Sequence, residues 1–227
     1  YAMGWGVQDD ETFAAIIQRE IGRRVYNLAV SSYGTHRELL RLQRSGLLER
    51  VDIVIIQYCD NDLGENVAFQ IHPPREMREK FEAIFHNRSS LVDRTMLIFK
   101  GIGLALGEPV RALRVLSNEQ DFRPHYEELV KVIESVDGLR LKKIIVFYVN
   151  PWGRKFRNFP VGKDQKHLNV QFYEINFSEQ DFFTIDGHLN KEGHYRVASN
   201  LKQLLADEIG TLLPDRPIRS ANNMLQE

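Results

Sequence analysis

Apolar residues recur along the chain with two different spacings, which together predict an alternation of helices and strands. Spacing of three or four residues, typical of one helix face, occurs in four stretches. The positions that define these helices are Phe13, Ile16, Ile17 and Ile21; Leu39, Leu40, Leu47 and Leu48; Tyr126, Leu129, Val130, Ile133 and Val136; and Tyr195, Val197, Ala198, Leu201, Leu204, Leu205 and Ile209. We expect the first helix to end at Gly22, the second to begin near Thr35 and the last to follow Asn190, a good N-cap residue.

Continuous apolar runs predict the strands. Residues 51–56 and 143–149 consist almost entirely of β-branched and other apolar side chains, as expected for strands of a parallel sheet that is covered on both faces. Residues 24–30 and 167–173 predict two shorter strands. Because strands and helices alternate, we predict an α/β fold with a central parallel sheet.

The length of 227 residues favours one domain over residues 1–227, with two less regular regions. Residues 66–120 are expected to form a mostly helical insertion over one end of the sheet, which either shapes a substrate pocket or only completes the core. The chain from about residue 214 is polar and is expected to fray.

Composition excludes several classes of function. With 30 basic and 31 acidic residues the net charge is −1, which gives no electrostatic basis for binding nucleic acid or an anionic membrane. No apolar run approaches the ~18 residues of a membrane span. A single cysteine, Cys59, excludes an internal disulfide and a multi-thiolate metal site.

Candidate chemistry begins with Asp186-Gly187-His188, directly upstream of the last predicted helix. A carboxylate beside a histidine fixes the tautomer and stabilises the imidazolium, which is how a general base is made near neutral pH. The alternative is that Asp186 and His188 are turn residues without chemistry.

Two further candidates follow predicted strands. In an open parallel sheet, ligands collect beyond the carboxyl ends of the strands, where Gly34, Asn61 and the Asp186-His188 turn are expected to lie. The backbone N–H of Gly34 and the side-chain amide of Asn61 are donors suited to a developing oxyanion. Taken alone, Gly34 is equally a helix-entry glycine and Asn61 a turn residue.

These stretches together carry a family resemblance. Gly-Trp-Gly near the start, Asn27 to Gly34, Asn61-Asp62 after a buried strand and Asp186-Gly-His188-Leu-Asn190 resemble the SGNH (GDSL-like) hydrolases over nearly the whole chain. The resemblance implies a flavodoxin-like three-layer α/β/α sandwich. It also implies that His188 is the base, Asp186 its acid, and Gly34 and Asn61 the oxyanion donors, with no metal or cofactor.

Three features depart from the family pattern. Cys59 stands where the asparagine motif usually has glycine, and the acid lies two residues before the histidine instead of three. The Gly-Asp-Ser motif with the nucleophile would fall immediately before Tyr1, so we expect the serine there, in a longer folded molecule. Ser31 or Ser32 is the alternative nucleophile.

The expected function is hydrolysis of carboxylic esters through an acyl-enzyme, with an esterase, lipase-like or carbohydrate-deacylase substrate. An acyltransferase with the same triad and a non-catalytic binding domain of the same fold are the alternatives. A nucleotide- or flavin-binding domain is disfavoured because no glycine-rich phosphate loop occurs. The basic loop around residues 154–166 and the aromatic residues Trp5, Trp152 and Phe156 are candidate substrate contacts, although a solvated loop and core packing explain them equally.

Overall fold

The computed structural model describes residues 1–31, 33–71, 120–149, 156–162, 169–184 and 187–212. In these ranges the α-helices are α1 (Phe13–Ile21), α2 (Thr35–Arg44), α3 (Asp62–Ile71), α4 (Arg123–Glu134) and α5 (Lys191–Leu212). The strands are β1 (Ile53–Tyr58), β2 (Gln120–Asp121), β3 (Lys143–Tyr148), β4 (Phe156–Arg157) and β5 (Val170–Tyr173). Single 3₁₀ turns lie at Asp9–Glu11, Leu48–Arg50, Leu139–Leu141 and Glu179–Asp181. The predicted α/β class is confirmed.

The main sheet has three parallel strands in the order β1-β3-β5. Ile53 lies opposite Lys143 and Tyr58 opposite Tyr148, so β1 and β3 end at the same level. The short strands β2 and β4 form a separate parallel pair. The predicted parallel sheet is therefore present, and its strands from residues 51–56, 143–149 and 167–173 lie within two or three residues of the expected positions.

Both faces of this sheet are buried, each by a different pair of helices. Along β3, Ile144 and Val146 belong to a core with α2 and α4, whereas Ile145 and Phe147 belong to a core with α1 and α5. Successive side chains of a strand point to opposite faces, so a strand covered on both sides must be apolar throughout. This explains the unbroken apolar run of β3.

The helices on one face begin and end where the sequence predicts. The Thr12 hydroxyl accepts the Ala15 N–H at 3.3 Å at the start of α1, and Gly22 ends it in the left-handed conformation at φ 61°. At the start of α5, Oδ1 of Asn190 accepts the Gly193 N–H at 3.0 Å. The N-cap predicted at Asn190 is confirmed.

Three predictions of local structure are wrong. Residues 24–30 form no strand, since they pair with no described strand. Helix α2 ends at Arg44, so Leu47 lies beyond the helix and Leu48 begins a 3₁₀ turn. Helix α3 begins at Asp62, before the start of the predicted insertion at residue 66. The rest of the predicted insertion, residues 72–119, and the tail from residue 214 lie outside the described residues.

Ala2, near the start of the chain, contacts one side chain of β1. Among the described strands β1 pairs only with β3. The Ala2 N–H donates to Oε1 of Gln57 in β1 at 3.3 Å, and the Ala2 carbonyl accepts from Nδ2 of Asn27 at 2.9 Å. Ala2 is thus held between the side chains of Gln57 and Asn27. No helix in the described part of the chain is long and apolar enough to cross a membrane.

Candidate functional site

His188 is presented by a tight hairpin. The Phe183 N–H donates to the His188 carbonyl at 2.8 Å, and the Gly187 N–H donates to the Phe183 carbonyl at 3.0 Å. Gly187 has φ 71°, a conformation that favours glycine. A bridge between Phe182 and Leu189 closes the hairpin at its base. Asp186, the expected acid, lies outside the described residues, so the structure gives no distance between it and His188.

Two aromatic rings from the start of the chain lie beside His188. The ring centroid of Tyr1 is 5.3 Å from that of the imidazole, and the centroid of Trp5 is 6.4 Å from it. His188 is half-buried, whereas 55% of the Trp5 surface is exposed. The residues that sequence analysis placed at the two ends of the constellation, Gly-Trp-Gly and His188, are therefore neighbours.

The start of the chain also lies near the loop after β1. The Ala2 N–H donates to Oε1 of Gln57 at 3.3 Å, and Nε2 of Gln57 donates to Sγ of Cys59 at 3.0 Å. Burial raises the pKa of the Asp62 carboxyl to about 7, and it also raises the pKa of the Cys59 thiol. Tyr1 and Ala2 thus connect the His188 hairpin with the segment that carries Asn61.

Three consecutive residues at the start of α2 are held by one face of α3. The Gly34 N–H donates to Oε1 of Glu65 at 2.7 Å, and the His36 N–H donates to Oδ1 of Asn66 at 2.9 Å. Between them, the Thr35 hydroxyl donates to Oδ2 of Asp62 at 3.0 Å. Positions i, i+3 and i+4 share one face of a helix, so α3 supplies the caps that α2 lacks from its own sequence.

Asp62 joins this contact to the loop after β1. Its Oδ2 also accepts the Cys59 N–H at 3.3 Å, and the Asp62 N–H donates to the Cys59 carbonyl at 3.2 Å. Asp62 is buried, and the turn that it closes contains Asn61, which is exposed. One carboxyl therefore fixes the segments on which both predicted oxyanion donors lie.

The two predicted oxyanion donors are in different states. Asn61 is exposed in its turn, with its side chain directed out of the core. The Gly34 N–H is engaged by Glu65, whose Oε1 also accepts from Nε of Arg37 at 2.5 Å. A Cβ at Gly34 would lie 3.1 Å from Cδ of Glu65 and 3.3 Å from Oδ1 of Asn66, so glycine permits this close approach. In this conformation an oxyanion can take the Gly34 donor only by displacing a carboxylate.

Carboxyl groups are concentrated around this loop. Burial raises the pKa of Glu38 to about 8, and the neighbouring charges of Asp62 and Glu65 raise it further. The Glu38 carboxyl accepts a hydrogen bond from the Val30 backbone, which favours its charged form but does not outweigh the burial. Acids from α2 and α3 thus hold the Val30 backbone and the start of α2.

The second histidine of the same stretch has a different environment. His194 is fully buried, and its Nδ1 accepts the Phe13 N–H at 3.1 Å, which caps α1. Burial lowers the pKa of His194 to about 4, so the ring is neutral. The nearby Asp181 accepts from Ser178 and from Nε of Arg196 at 2.7 Å. These two residues hold helices together and do not extend the site around His188.

The remaining candidates are not brought to this site. Phe156 packs in the core, 4.6 Å from the Tyr148 ring and 4.8 Å from the His125 ring, which supports the packing interpretation over substrate stacking. Ser31 is exposed; Ser32, Trp152 and residues 154, 155 and 163–166 of the basic loop lie outside the described residues. In the described ranges, no group of three or more His, Cys, Asp or Glu side chains is arranged to hold a metal ion.

Sequence analysis missed the contribution of α3. Asp62, Glu65 and Asn66 have the spacing of one helix face, but the glycine and asparagine residues around position 62 favoured a loop. The contact between Tyr1, Trp5 and His188 joins the two ends of the chain, and hydrophobic periodicity carries no signal for it.

No protein-family model, no curated protein and no solved structure matches the chain.

Proposed function

We propose that this chain is the main part of a serine hydrolase of carboxylic esters that resembles the SGNH family. The serine is expected immediately before Tyr1, with His188 as its base and Asp186 as the acid that orients the base. Asn61 supplies the oxyanion donor that is exposed in this conformation. Its acyl-enzyme chemistry also suits an acyltransferase, in which an alcohol replaces water in the second step.

The position of Tyr1 carries this proposal. Its ring is 5.3 Å from the His188 ring, and the next residue, Ala2, donates to Gln57, whose side chain contacts Cys59 in the loop after β1. We expect a residue bonded to the Tyr1 nitrogen to lie near both the histidine and the turn that contains Asn61. A nucleophile, its base and an oxyanion donor must meet within hydrogen-bonding reach of one reacting carbonyl.

The architecture is consistent with a three-layer sandwich of the flavodoxin-like type. One pair of helices, α2 and α4, covers one face of the parallel sheet, and α1 and α5 cover the other. The edge of β1 away from β3 pairs with no described strand. We expect the residues before Tyr1 to run along that edge, which would satisfy backbone groups of a strand that is otherwise buried.

Each of these residues has its own role in ester hydrolysis. The serine oxygen attacks the ester carbonyl carbon while His188 accepts its proton, and Asn61 donates to the oxygen that gains negative charge. The tetrahedral intermediate collapses, and the alcohol leaves with the proton from His188. Water then attacks the acyl-enzyme by the same route and releases the acid and the free serine.

Gly34 is not assigned as an oxyanion donor in this proposal. Its N–H donates to Glu65, so we assign the glycine to the path of the loop and not to the oxyanion. The same bond favours the second candidate function, a binding domain of the same fold without catalysis, because a carboxylate occupies one expected donor.

Labelling by a fluorophosphonate separates the two functions, since this probe reacts only with an activated serine. We expect the full-length protein to be labelled on the residue before Tyr1, located by peptide mass spectrometry, and expect His188→Ala to abolish labelling. A protein that resists labelling and hydrolyses no ester would support the binding domain. If the intact mass of the native protein equals that of the 227 residues, the expected nucleophile is absent and the proposal fails.

A further inference from the structure

The loop that carries Trp5 is fixed on both sides of this residue. Gly4 and Gly6 both adopt left-handed conformations, with φ 87° and 86°. A Cβ at Gly6 would lie 2.8 Å from Cε2 of Phe183, and a Cβ at Gly4 would collide with Cγ2 of Thr12. The backbone therefore packs closely against the His188 hairpin and against the start of α1, and both contacts require glycine.

This fixed loop holds a large aromatic ring out of the core. Trp5 is 55% exposed, and its ring plane is inclined by 39° to that of His188 at a centroid distance of 6.4 Å. An indole usually buries most of its surface, because its area makes burial strongly favourable. The Tyr1 ring also lies beside the imidazole, at a centroid distance of 5.3 Å. The structure thus keeps an apolar flat surface in solvent next to the expected base.

A flat indole face selects ligands by shape. A ring with a flat C–H or π face can contact the indole face with most of its atoms at once, as in aromatic stacking. An unbranched acyl chain touches one flat face with few of its carbon atoms and is bound better by an enclosed groove. The ring-shaped side of a substrate therefore fits this surface best.

We propose that Trp5 is the binding platform for a ring in the substrate, either a pyranose or an arene, that lies next to the scissile ester. This inference rests on the proposed function, because it places the ester near His188. Trp5 would then determine specificity by binding the ring, without taking part in bond breaking.

The test compares the full-length protein with Trp5→Ala and Trp5→Phe on three esters, an acetylated methyl pyranoside, phenyl acetate and ethyl acetate. We expect Trp5→Ala to lower kcat/KM for a ring ester about 10- to 100-fold, mainly through KM, and to change ethyl acetate less than about 3-fold. Trp5→Phe should recover most of the loss. Tyr195→Ala, at a 59% exposed aromatic position on α5, is the matched control and should change none of them.

The losses of kcat/KM for the three esters show whether the ring is a sugar or an arene, and whether Trp5 binds the ring or only supports His188. A larger effect on the pyranoside identifies a sugar, and a larger effect on phenyl acetate identifies an arene. Equal losses for all three esters through kcat would mean that Trp5 only supports His188, and unchanged kinetics would mean that it has no role. Either result overturns the proposal.

Binding without hydrolysis distinguishes failure of this inference from failure of the proposed function. Methyl pyranoside and phenol are titrated against the wild type and Trp5→Ala by ligand-observed NMR. Suppose that no ester is hydrolysed, but one ligand binds and Trp5→Ala weakens its binding about 10-fold. This result would support Trp5 as a binding platform and contradict the proposed hydrolase function. If the wild type binds neither ligand, or if Trp5→Ala does not change the binding, Trp5 is not a binding platform for a ring.

Discussion

The backbone N–H of Gly34 donates to the Glu65 carboxylate at 2.7 Å, although a helix and a strand separate the two residues in the chain. Glu65 also pairs with Arg37, which stacks on the Tyr33 ring at 4.0 Å and the Phe69 ring at 4.6 Å. The negative charge at the start of α2 is favourable for the helix dipole. The two residues thus form one structural unit at the entrance to the helix.

Glu65→Ala should destabilise the protein without raising its activity. The change leaves the Gly34 N–H without its acceptor and Arg37 without its carboxylate, so we expect a loss of about 1–3 kcal/mol in the free energy of unfolding. Urea denaturation measures this loss, with the exposed Glu127→Ala as control. An increase in kcat for ester hydrolysis would instead show that Glu65 competes with an oxyanion for Gly34.

Asn61→Ala should impair catalysis in a folded protein. Because the side chain is exposed, its removal leaves no buried group unsatisfied, and we expect the melting temperature to stay within a few degrees. Loss of an oxyanion donor typically lowers kcat about 10²- to 10³-fold. Gln203→Ala, at an exposed position of α5, controls for the loss of a surface amide. Normal turnover in Asn61→Ala would exclude Asn61 from the oxyanion site.

Asp62 and Thr35 should act as a pair. Removing either partner breaks the bond that connects the start of α2 to the turn with Asn61, so Asp62→Ala and Thr35→Val should each reduce kcat. Asp62→Asn keeps an acceptor oxygen and should retain more activity than Asp62→Ala. A double-mutant cycle in kcat and in stability measures the coupling between the two residues, which we expect to be on the order of 1 kcal/mol. Strictly additive effects would contradict this connection.

Stability should fall as the pH rises through the titration of Glu38. The folded-state pKa is raised to about 8 from an ordinary value of 4.5, so the folded protein holds this proton more tightly than the unfolded chain. The contribution is complete below about pH 4.5 and is lost as the pH approaches 8. Glu38→Gln should therefore gain stability relative to wild type between pH 5 and pH 8.5, by on the order of 1–3 kcal/mol. Chemical denaturation at several pH values tests this, and the exposed Glu49→Gln should show no such trend.

Substitution of His194 should affect stability, whereas substitution of His188 should affect activity. His194→Ala removes the acceptor of the Phe13 N–H and leaves a cavity in the core, so we expect a loss of about 2–4 kcal/mol. Activity per folded molecule should remain. His188→Ala should abolish hydrolysis with little change in melting temperature. Comparable activity losses in both variants, after correction for unfolded protein, would contradict the assignment of His188.

Helices were predictable where one face packs on the core, and strands were predictable where both faces do. The spacing of Phe13, Ile16 and Ile17 identifies α1, and the unbroken run of β3 identifies a strand covered on both sides. Residues 24–30 have strand-like composition, yet a strand exists only when a partner satisfies its backbone, and β propensity describes the side chains alone. That they pair with no described strand could not be predicted from that composition.

The candidate site was predictable in part. The order of the motifs and their expected position beyond the carboxyl ends of the strands led to Asn61 and His188 as candidates. The interaction of Gly34 with Glu65 depends on the packing of α2 against α3, and the position of Trp5 depends on how Gly4 and Gly6 fit against other segments. Contacts of this kind arise from tertiary structure and leave no local pattern.

The attachment of residues 34–36 to three side chains of α3 makes this region cooperative. Asp62, Glu65 and Asn66 project from one helix face, so a rotation of α3 about its axis breaks all three hydrogen bonds together. Asn61 precedes the same helix and moves with it. The position of this candidate oxyanion donor is therefore coupled, through α3, to the start of α2.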